Sequence, residues 1–173
     1  RGPDPRPLFD LLEETAGLYR RQLREHPDAA RAVDYLKRRG LSGEIAAVFG
    51  LGYAPPGWDF LLRRAGGDPA RQERLVTCGL LIDQDGKRYD RFRERIIFPI
   101  TDISGRPIAF GGRAMGDEQP KYLNSPESDI YHKSKVLYGL YQAKQTIAKE
   151  DNCYLVEGYT DVIQFHQSGI TNV

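Results

Sequence analysis

The spacing of apolar residues changes about halfway along the chain, and this restricts the fold to one in which helices precede strands. Over residues 8–23, apolar residues recur every three or four positions, the spacing of an amphipathic helix. Residues 95–101 and 106–112 are instead rich in β-branched and aromatic side chains, and the turn sequence Asp102-Ile103-Ser104-Gly105 separates them. The pattern predicts a β-hairpin after a helical start, and hence an α+β fold with a small mixed or antiparallel sheet.

Pro99 interrupts the first strand of this hairpin. Proline has no N–H to donate to a sheet partner and is therefore confined to edge strands, strand starts and bulges. We expect this strand to lie at a sheet edge or to contain a bulge.

Five helices are predicted before the change in spacing. The first ends before Pro27, Asp28 caps the second, and Ser42 caps the third. Two more are expected over residues 58–65 and 69–78, separated by a glycine-rich turn.

The last part of the chain is predicted to begin a parallel α/β unit. A helix is expected over 136–149, an apolar strand over 153–157, a helix over 159–167 and a second strand from residue 170. Strand, helix and strand over so short a span form a compact βαβ unit, in which the two strands are parallel neighbours.

These patterns divide the chain into three segments. Residues 1–7 contain three prolines and are predicted to be an extended linker. Residues 8–132 are expected to form one subdomain, and residues 133–173 a lead-in helix with the start of the α/β unit. Because a linker comes first and the final strand has barely begun, we expect a piece of a longer protein.

Composition excludes several classes of protein. Charged residues make up 28% and apolar residues 40% of the chain, values typical of a globular protein rather than a disordered one. No run approaches 18 apolar residues, so a membrane span is not expected. Two cysteines are too few for a disulfide framework or a four-ligand zinc site, and a cytoplasmic location is expected.

Charge is unevenly distributed along the chain. Residues 87–144 contain eleven basic and seven acidic residues, whereas residues 145–173 contain one basic and four acidic residues. This pattern is what a polyanion bound to the basic segment, beside a site that depends on a metal cation, would require. The alternative is that the charged residues simply form the solvent-exposed faces of a globular protein.

The basic segment contains a candidate nucleic-acid site. Arg91, Arg93 and Arg95 alternate, so an extended strand would project all three from one side, with Glu94 facing away. Guanidinium groups bind phosphate oxygens bidentately, lysines add point charges, tyrosine offers a face for stacking a base, and asparagine offers an amide edge. The other candidates are Arg113, Lys121, Tyr122, Asn124 and Lys133. For any single arginine the alternative is a surface salt bridge, which contributes little to stability.

Glu157 and Asp161 form a candidate metal site. Glu157 ends the predicted strand, Gly158 lets the chain turn, and Asp161 lies near the first turn of the next helix, so both carboxylates can face one point. Two carboxylates with room for water suit Mg²⁺ or Mn²⁺ that bridges to a phosphate. The alternative is an ordinary strand end and an aspartate that satisfies a helix N-terminus.

The order of these motifs resembles that of bacterial DnaG-type primases. Residues 91–100 resemble the signature strand of that family, and residues 110–113, 120–127 and 131–140 resemble the motifs that follow it. The sequence Glu157-Gly158-Tyr159-Thr160-Asp161-Val162 resembles the opening of the family's Toprim fold.

The resemblance implies a DNA-dependent RNA polymerase that makes short RNA primers on single-stranded DNA at replication forks. It implies that Glu157 is catalytic and binds metal together with Asp161. The basic residues named above would hold template, RNA–DNA hybrid or ribonucleotide phosphates.

The family also has a zinc-binding domain, an Asp-x-Asp metal motif and a C-terminal region that binds the replicative helicase, and these 173 residues contain none of them. Zinc is therefore expected only in that separate domain, and the chain alone is expected to be inactive. Two other functions stay open: a non-catalytic module that binds single-stranded nucleic acid, and another Toprim protein related to nucleases or topoisomerases.

Overall fold

The computed structural model describes residues 2–173 and has the predicted α+β fold. Its helices are α1 (Arg6–Glu25), α2 (Ala30–Arg38), α3 (Gly43–Val48), α4 (Phe60–Ala65), α5 (Pro69–Thr77), α6 (Leu140–Glu150) and α7 (Tyr159–Gln167). Its strands are β1 (Gly52–Ala54), β2 (Leu81–Gln84), β3 (Lys87–Asp90), β4 (Arg95–Thr101), β5 (Pro107–Ala114) and β6 (Tyr122–Asn124). Short 3₁₀ helices lie at Pro27–Ala29 and Lys133–Lys135.

Local sequence signals determine some helix ends but not all. Ser42 caps α3 as predicted, because its hydroxyl accepts the backbone N–H of Ile45 at 3.2 Å. Asp28 does not cap α2: its own backbone N–H donates to the Nδ1 atom of His26 at 3.0 Å, and the 3₁₀ turn follows. Helix α1 begins at Arg6, inside the predicted linker, because proline is well tolerated in the first turn of a helix.

A four-stranded antiparallel sheet in the order β1-β4-β5-β6 forms the centre of the molecule, and β2 pairs with β3 in a separate hairpin. The predicted hairpin is confirmed as β4 and β5. A carboxylate oxygen of Asp102 closes its turn by accepting the backbone N–H groups of Ser104 at 2.9 Å and Arg106 at 3.0 Å.

Of the two alternatives expected for the strand that contains Pro99, the edge position is wrong, since β1 and β5 flank β4 on both sides. Strand β1, however, pairs only as far as Ile97, so Pro99 lies where β5 is the remaining neighbour of β4. The pairing register with β5 then shifts between Ile100 and Thr101, which is the expected irregularity.

Helices cover both faces of the sheet. On one face, Ile97 and Phe110 pack with α1, α4 and α5; on the other, Ile96 and Phe98 pack with α2, α3 and α7. Because side chains alternate along a strand, adjacent residues of β4 enter two different cores. No helix within residues 2–173 has the length and apolar character needed to cross a bilayer.

The predicted parallel βαβ unit is only partly formed. Helix α7 is present, but residues 153–157 and 170–173 are not strands and share the backbone hydrogen bond from Tyr154 N–H to Asn172 O at 2.9 Å. Tyr154 and Leu155 are 59% and 80% exposed. A parallel ladder needs repeated bonds along both segments, and within residues 2–173 no further strand flanks them.

Helix α1 lies very close to β1 at Gly52. A Cβ atom added to Gly52 would lie 2.7 Å from both the carbonyl carbon and the Cβ of Tyr19. Tyr19 is itself fully buried between α1 and the sheet, so neither partner can move independently. Contact at this distance requires glycine.

We expect Gly52→Ala to lower the free energy of unfolding by about 1–3 kcal/mol, because the added methyl group forces α1 away from the sheet. Urea denaturation measures this change. Gly43→Ala is the matched control, since nothing lies within 4 Å of a Cβ at that helical position, and it should leave stability unchanged or raise it. Equal effects of the two substitutions would contradict the packing described.

Candidate nucleic-acid interface

The three alternating arginines lie in an irregular segment between β3 and β4. Glu94 has a φ of +50°, in the left-handed region, so residues 91–95 do not form the extended strand that would project all three side chains from one side. The three side chains nevertheless line one cavity of about 360 Å³. The turn at Glu94, rather than strand alternation, therefore brings them together. We call this the arginine cavity, and its polar and aromatic lining consists of Trp58, Arg91, Arg93, Glu94, Arg95, Glu118 and Gln119.

Backbone carbonyl groups hold Arg91 and Arg95 in place. Arg91 donates to the carbonyl of Asn124 from Nε at 3.1 Å and from Nη2 at 2.9 Å. Arg95 donates from Nη1 to the carbonyls of Gly112 and Lys121, both at 3.3 Å. Burial lowers the pKa of both guanidinium groups below the ordinary arginine value. A guanidinium has five N–H groups, so these bonds leave donors available to an anion.

Arg93 stacks on Trp58, a residue that the sequence reasoning missed. The guanidinium carbon lies 3.8 Å from the ring centroid, and Nη1 donates to the carbonyl of Asp90 at 2.6 Å. The indole is 60% exposed and its ring contacts Tyr89 edge-on at 5.3 Å. An exposed aromatic face beside arginines suits base stacking. The one signal in the sequence is a lone tryptophan after a Pro-Pro-Gly loop.

Two glycines of β5 make room for the site on both faces of the sheet. A Cβ at Gly112 would lie 2.8 Å from Phe92 and 3.1 Å from the Cδ of Arg95. A Cβ at Gly111 would lie 2.7 Å from the ring of Tyr159 on the opposite face. A side chain at either glycine would therefore displace residues of the candidate site.

Arg113 lies on the opposite face of the sheet from Arg95. Arg95 is directly opposite Ala114, whereas Arg113 is opposite Ile96, and neighbouring positions along a strand face opposite ways. Arg113 is 5% exposed, and its guanidinium lies 5.2 Å from the ring of Tyr35 and 5.3 Å from that of Tyr122. The predicted basic residues are thus divided between two faces.

A second cavity, of about 470 Å³, lies on the face that holds Arg113. Its polar and aromatic residues include Glu157, Tyr122, Asn124 and Tyr159, and we call it the carboxylate cavity. The Tyr159 hydroxyl donates to Oδ1 of Asn124 at 2.7 Å, and the Tyr159 ring stacks on Phe98 at 5.1 Å. The Tyr159 hydroxyl therefore holds the side-chain amide of Asn124 in place beside the carboxylate cavity.

Strand β6 separates the two cavities. Tyr122 and Asn124 line the carboxylate cavity, while Leu123 between them lines the arginine cavity. Lys121 is exposed immediately before β6, and Lys133 is exposed in the segment that leads to α6. A strand of nucleic acid that crosses β6 would meet both cavities.

The two candidate metal ligands are both exposed. Glu157 lines the carboxylate cavity, whereas Asp161, in the first turn of α7, is not among the described residues that line it. Within residues 2–173 there is no group of three or more His, Cys, Asp or Glu side chains able to hold a metal ion. At most these two carboxylates are available, a set that suits Mg²⁺ because this ion keeps several waters.

A buried carboxylate lies beneath the arginine cavity. Asp90 is 1% exposed, and its two carboxylate oxygens accept the backbone N–H groups of Leu61 at 2.8 Å and Leu62 at 3.2 Å. Burial raises the pKa of Asp90 to about 6, and the two N–H bonds oppose that rise. Sequence reasoning gave no reason to single out this residue.

A family model, curated relatives and solved structures that are similar to this chain are all described as DNA primases. A family model described as the DNA primase catalytic core, N-terminal domain, matches residues 18–144. The chain is 55% identical over 174 residues to the DNA primase of Pseudomonas putida, an alignment that covers 99% of this chain and 26% of that protein. The chain thus spans about a quarter of the length of the curated relatives it matches.

Solved structures show the same similarity. A DnaG primase catalytic domain bound to ssDNA superposes with a TM-score of 0.90 at 48% identity, covering 95% of this chain and 51% of that one. The Aquifex aeolicus primase, with zinc-binding and RNA polymerase domains, superposes with a TM-score of 0.84 at 35% identity, covering 95% of this chain and 40% of that one.

The raised pKa of Asp90 predicts how stability depends on pH. The folded protein binds this proton more tightly than the unfolded chain, so the contribution of Asp90 to stability grows as the pH falls through 6. Relative to Asp90→Asn, the free energy of unfolding should rise by about 1 kcal/mol between pH 7.5 and pH 5. Urea denaturation of both proteins across this range measures the difference, and a constant or falling difference would contradict the shift.

Proposed function

The chain belongs to the family of the DNA primase catalytic core, N-terminal domain, and from this membership we propose that it is part of a nucleotidyltransferase that makes RNA primers on single-stranded DNA. The observation that carries the proposal is the pair of cavities on either side of β6, one lined by arginines and the other by Glu157. The similar DnaG structure bound to ssDNA supports single-stranded DNA as the ligand. We also propose that the protein acts in the cytoplasm, at replication forks.

In this proposal the arginine cavity holds the template strand. Arg91, Arg93 and Arg95 are anchored by backbone carbonyls and present their other N–H groups to phosphate oxygens. Trp58 offers its exposed face to a base, which adds affinity with little dependence on base identity. The cavity therefore binds single-stranded DNA largely without regard to its sequence.

The residues at β6 are assigned to the growing primer and the incoming ribonucleotide. Tyr122 stacks on a base, and the side-chain amide of Asn124, held by the Tyr159 hydroxyl, hydrogen-bonds to the edge of a base. The exposed Lys121 and Lys133 counter phosphate charge along the RNA–DNA hybrid, and the buried Arg113 adds positive charge behind the ring of Tyr122.

Glu157 is proposed as the catalytic carboxylate, with Asp161 as the second ligand of Mg²⁺ or Mn²⁺. A divalent ion held there would offset the negative charge on the α-phosphate that the primer 3′-hydroxyl attacks. The support for this assignment is that Glu157 lines the same cavity as Tyr122 and Asn124, the residues assigned to the nucleotide. Zinc is assigned to a separate domain and helicase binding to a separate region, both outside these 173 residues.

We also propose that residues 8–132 form one subdomain and that residues 133–173 begin the next.

A non-catalytic function as a module that binds single-stranded nucleic acid has one observation in its favour: residues 2–173 contain no group of three potential metal ligands. For these residues in isolation we therefore propose binding without catalysis.

We expect Arg93→Ala and Lys121→Ala each to weaken binding of a mixed-sequence single strand by about fivefold, and to lower the slope of log affinity against log salt by about 0.7. Fluorescence anisotropy at several salt concentrations measures both quantities. Lys149→Ala, which removes an exposed cation in the last turn of α6, is the control and should change neither. If neither substitution weakened binding, the proposed interface would be refuted.

We also expect the 173 residues alone to make no primer on single-stranded DNA with ribonucleotides and Mg²⁺, because two carboxylates leave the metal site incomplete. Gel analysis of radiolabelled products tests this, with a primase of the full family length as the positive control. A labelled primer made by the short chain, and lost in Glu157→Gln, would show that these residues are sufficient.

A further inference from the structure

We propose that Asp90 is the positioning residue of the arginine cavity, holding Trp58 and Arg93 in the stacked arrangement that receives the template. That the stacked pair receives a template rests on the proposed function. Whether Asp90 holds Trp58 and Arg93 in place can be tested without nucleic acid. Asp90 does not line the cavity; it acts through the two residues that do.

The side chain of Asp90 holds the start of helix α4. Its carboxylate accepts the N–H groups of Leu61 and Leu62, two of the donors that every helix leaves unpaired at its first turn. Asp59, the residue that precedes the helix and has the right chemistry for a local cap, makes no such bond. The start of α4 is therefore held by a residue 28 positions or more further along the chain.

The backbone of Asp90 holds the stacked pair directly. Its N–H donates to the carbonyl of Trp58 at 2.8 Å, and its carbonyl accepts Nη1 of Arg93 at 2.6 Å. Trp58 lies two residues before α4, so the carboxylate and the backbone of Asp90 restrain the Trp58 segment at two points. Arg93, three residues after Asp90, is restrained by the same backbone.

Three charged or titratable groups face the carboxylate. Arg93 favours its ionised form, Asp59 disfavours it, and Tyr19, buried in α1, has a pKa raised by its own burial and by the charge of Asp90. Across the β2–β3 hairpin, the residue opposite Asp90 is the apolar Leu81. Ionisation of Asp90 therefore acts most directly on Arg93, the only cation among these neighbours within the described part of the chain.

A positioning role and a purely stabilising role make different predictions. The amide nitrogen of Asn cannot accept an N–H group, so Asp90→Asn keeps one of the two bonds to α4, and its stability near neutral pH should fall by about as much as loss of a comparable cap lowers it. Asp68 provides that comparison, because its carboxylate caps α5 by accepting the N–H groups of Ala70 and Arg71. It lies outside the arginine cavity.

Trp58 is the only tryptophan in the sequence, so fluorescence excited at the red edge of indole absorption, where the ten tyrosines do not absorb, reports on it alone. In the unmodified protein we expect its emission to change between pH 7.5 and pH 5 with a midpoint near 6, the pKa of Asp90. In Asp90→Asn we expect no such transition, stronger acrylamide quenching at pH 7.5, and about tenfold weaker binding of single-stranded DNA. Asp68→Asn should retain the transition, the quenching and the affinity of the unmodified protein.

The outcomes separate this inference from the proposed function. A flat pH profile of the unmodified protein, which requires no folded variant, would overturn the positioning role. So would an Asp90→Asn protein with unchanged quenching and a retained transition. If the fluorescence results are as expected but neither Asp90→Asn nor Arg93→Ala alters DNA affinity, the positioning role stands and the proposed function fails.

Discussion

The antiparallel pairing of β4 with β5 is the interaction on which the rest of the structure depends. Both strands are almost wholly buried, and helices cover the sheet on both faces. The alternation of side chains that sends Ile96 and Ile97 into different cores also sends Arg113 and Arg95 to different faces. The two cavities are therefore a direct consequence of strand pairing, and β6, added to the edge of β5, lies between them.

The buried arginines show how the site is kept rigid. A charged group removed from water is costly unless it is hydrogen-bonded, and Arg95 is only 8% exposed. The backbone carbonyls of Gly112 and Lys121 accept hydrogen bonds from the Arg95 guanidinium. Because Gly112 has no side chain, the Cδ atom of Arg95 has room beside it. A guanidinium held in this way loses little further conformational freedom when it binds an anion, which favours affinity.

The sequence predicted the helices of the first half, the central hairpin and the basic character of the site, because each of these follows from local spacing or local chemistry. The convergence of Arg91, Arg93 and Arg95 was predicted for the wrong reason. The strand alternation that was expected to align them is broken by the left-handed backbone of Glu94, and that turn brings them to one cavity. The parallel strands expected at 153–157 and 170–173 were wrong, because a strand exists only where another strand can pair with it.

By itself the sequence determined the fold class, the strand pairing of the hairpin and the family to which the motifs belong, since these depend on residues that are neighbours along the chain or repeat at fixed intervals. Only the tertiary structure decided that the basic residues divide between two faces, that Trp58 stacks on Arg93, and that Asp90 caps a helix 28 residues before it. Such contacts join segments that are distant in sequence. They are selected by the burial of apolar surface and the pairing of buried polar groups across the whole molecule, which no local pattern records.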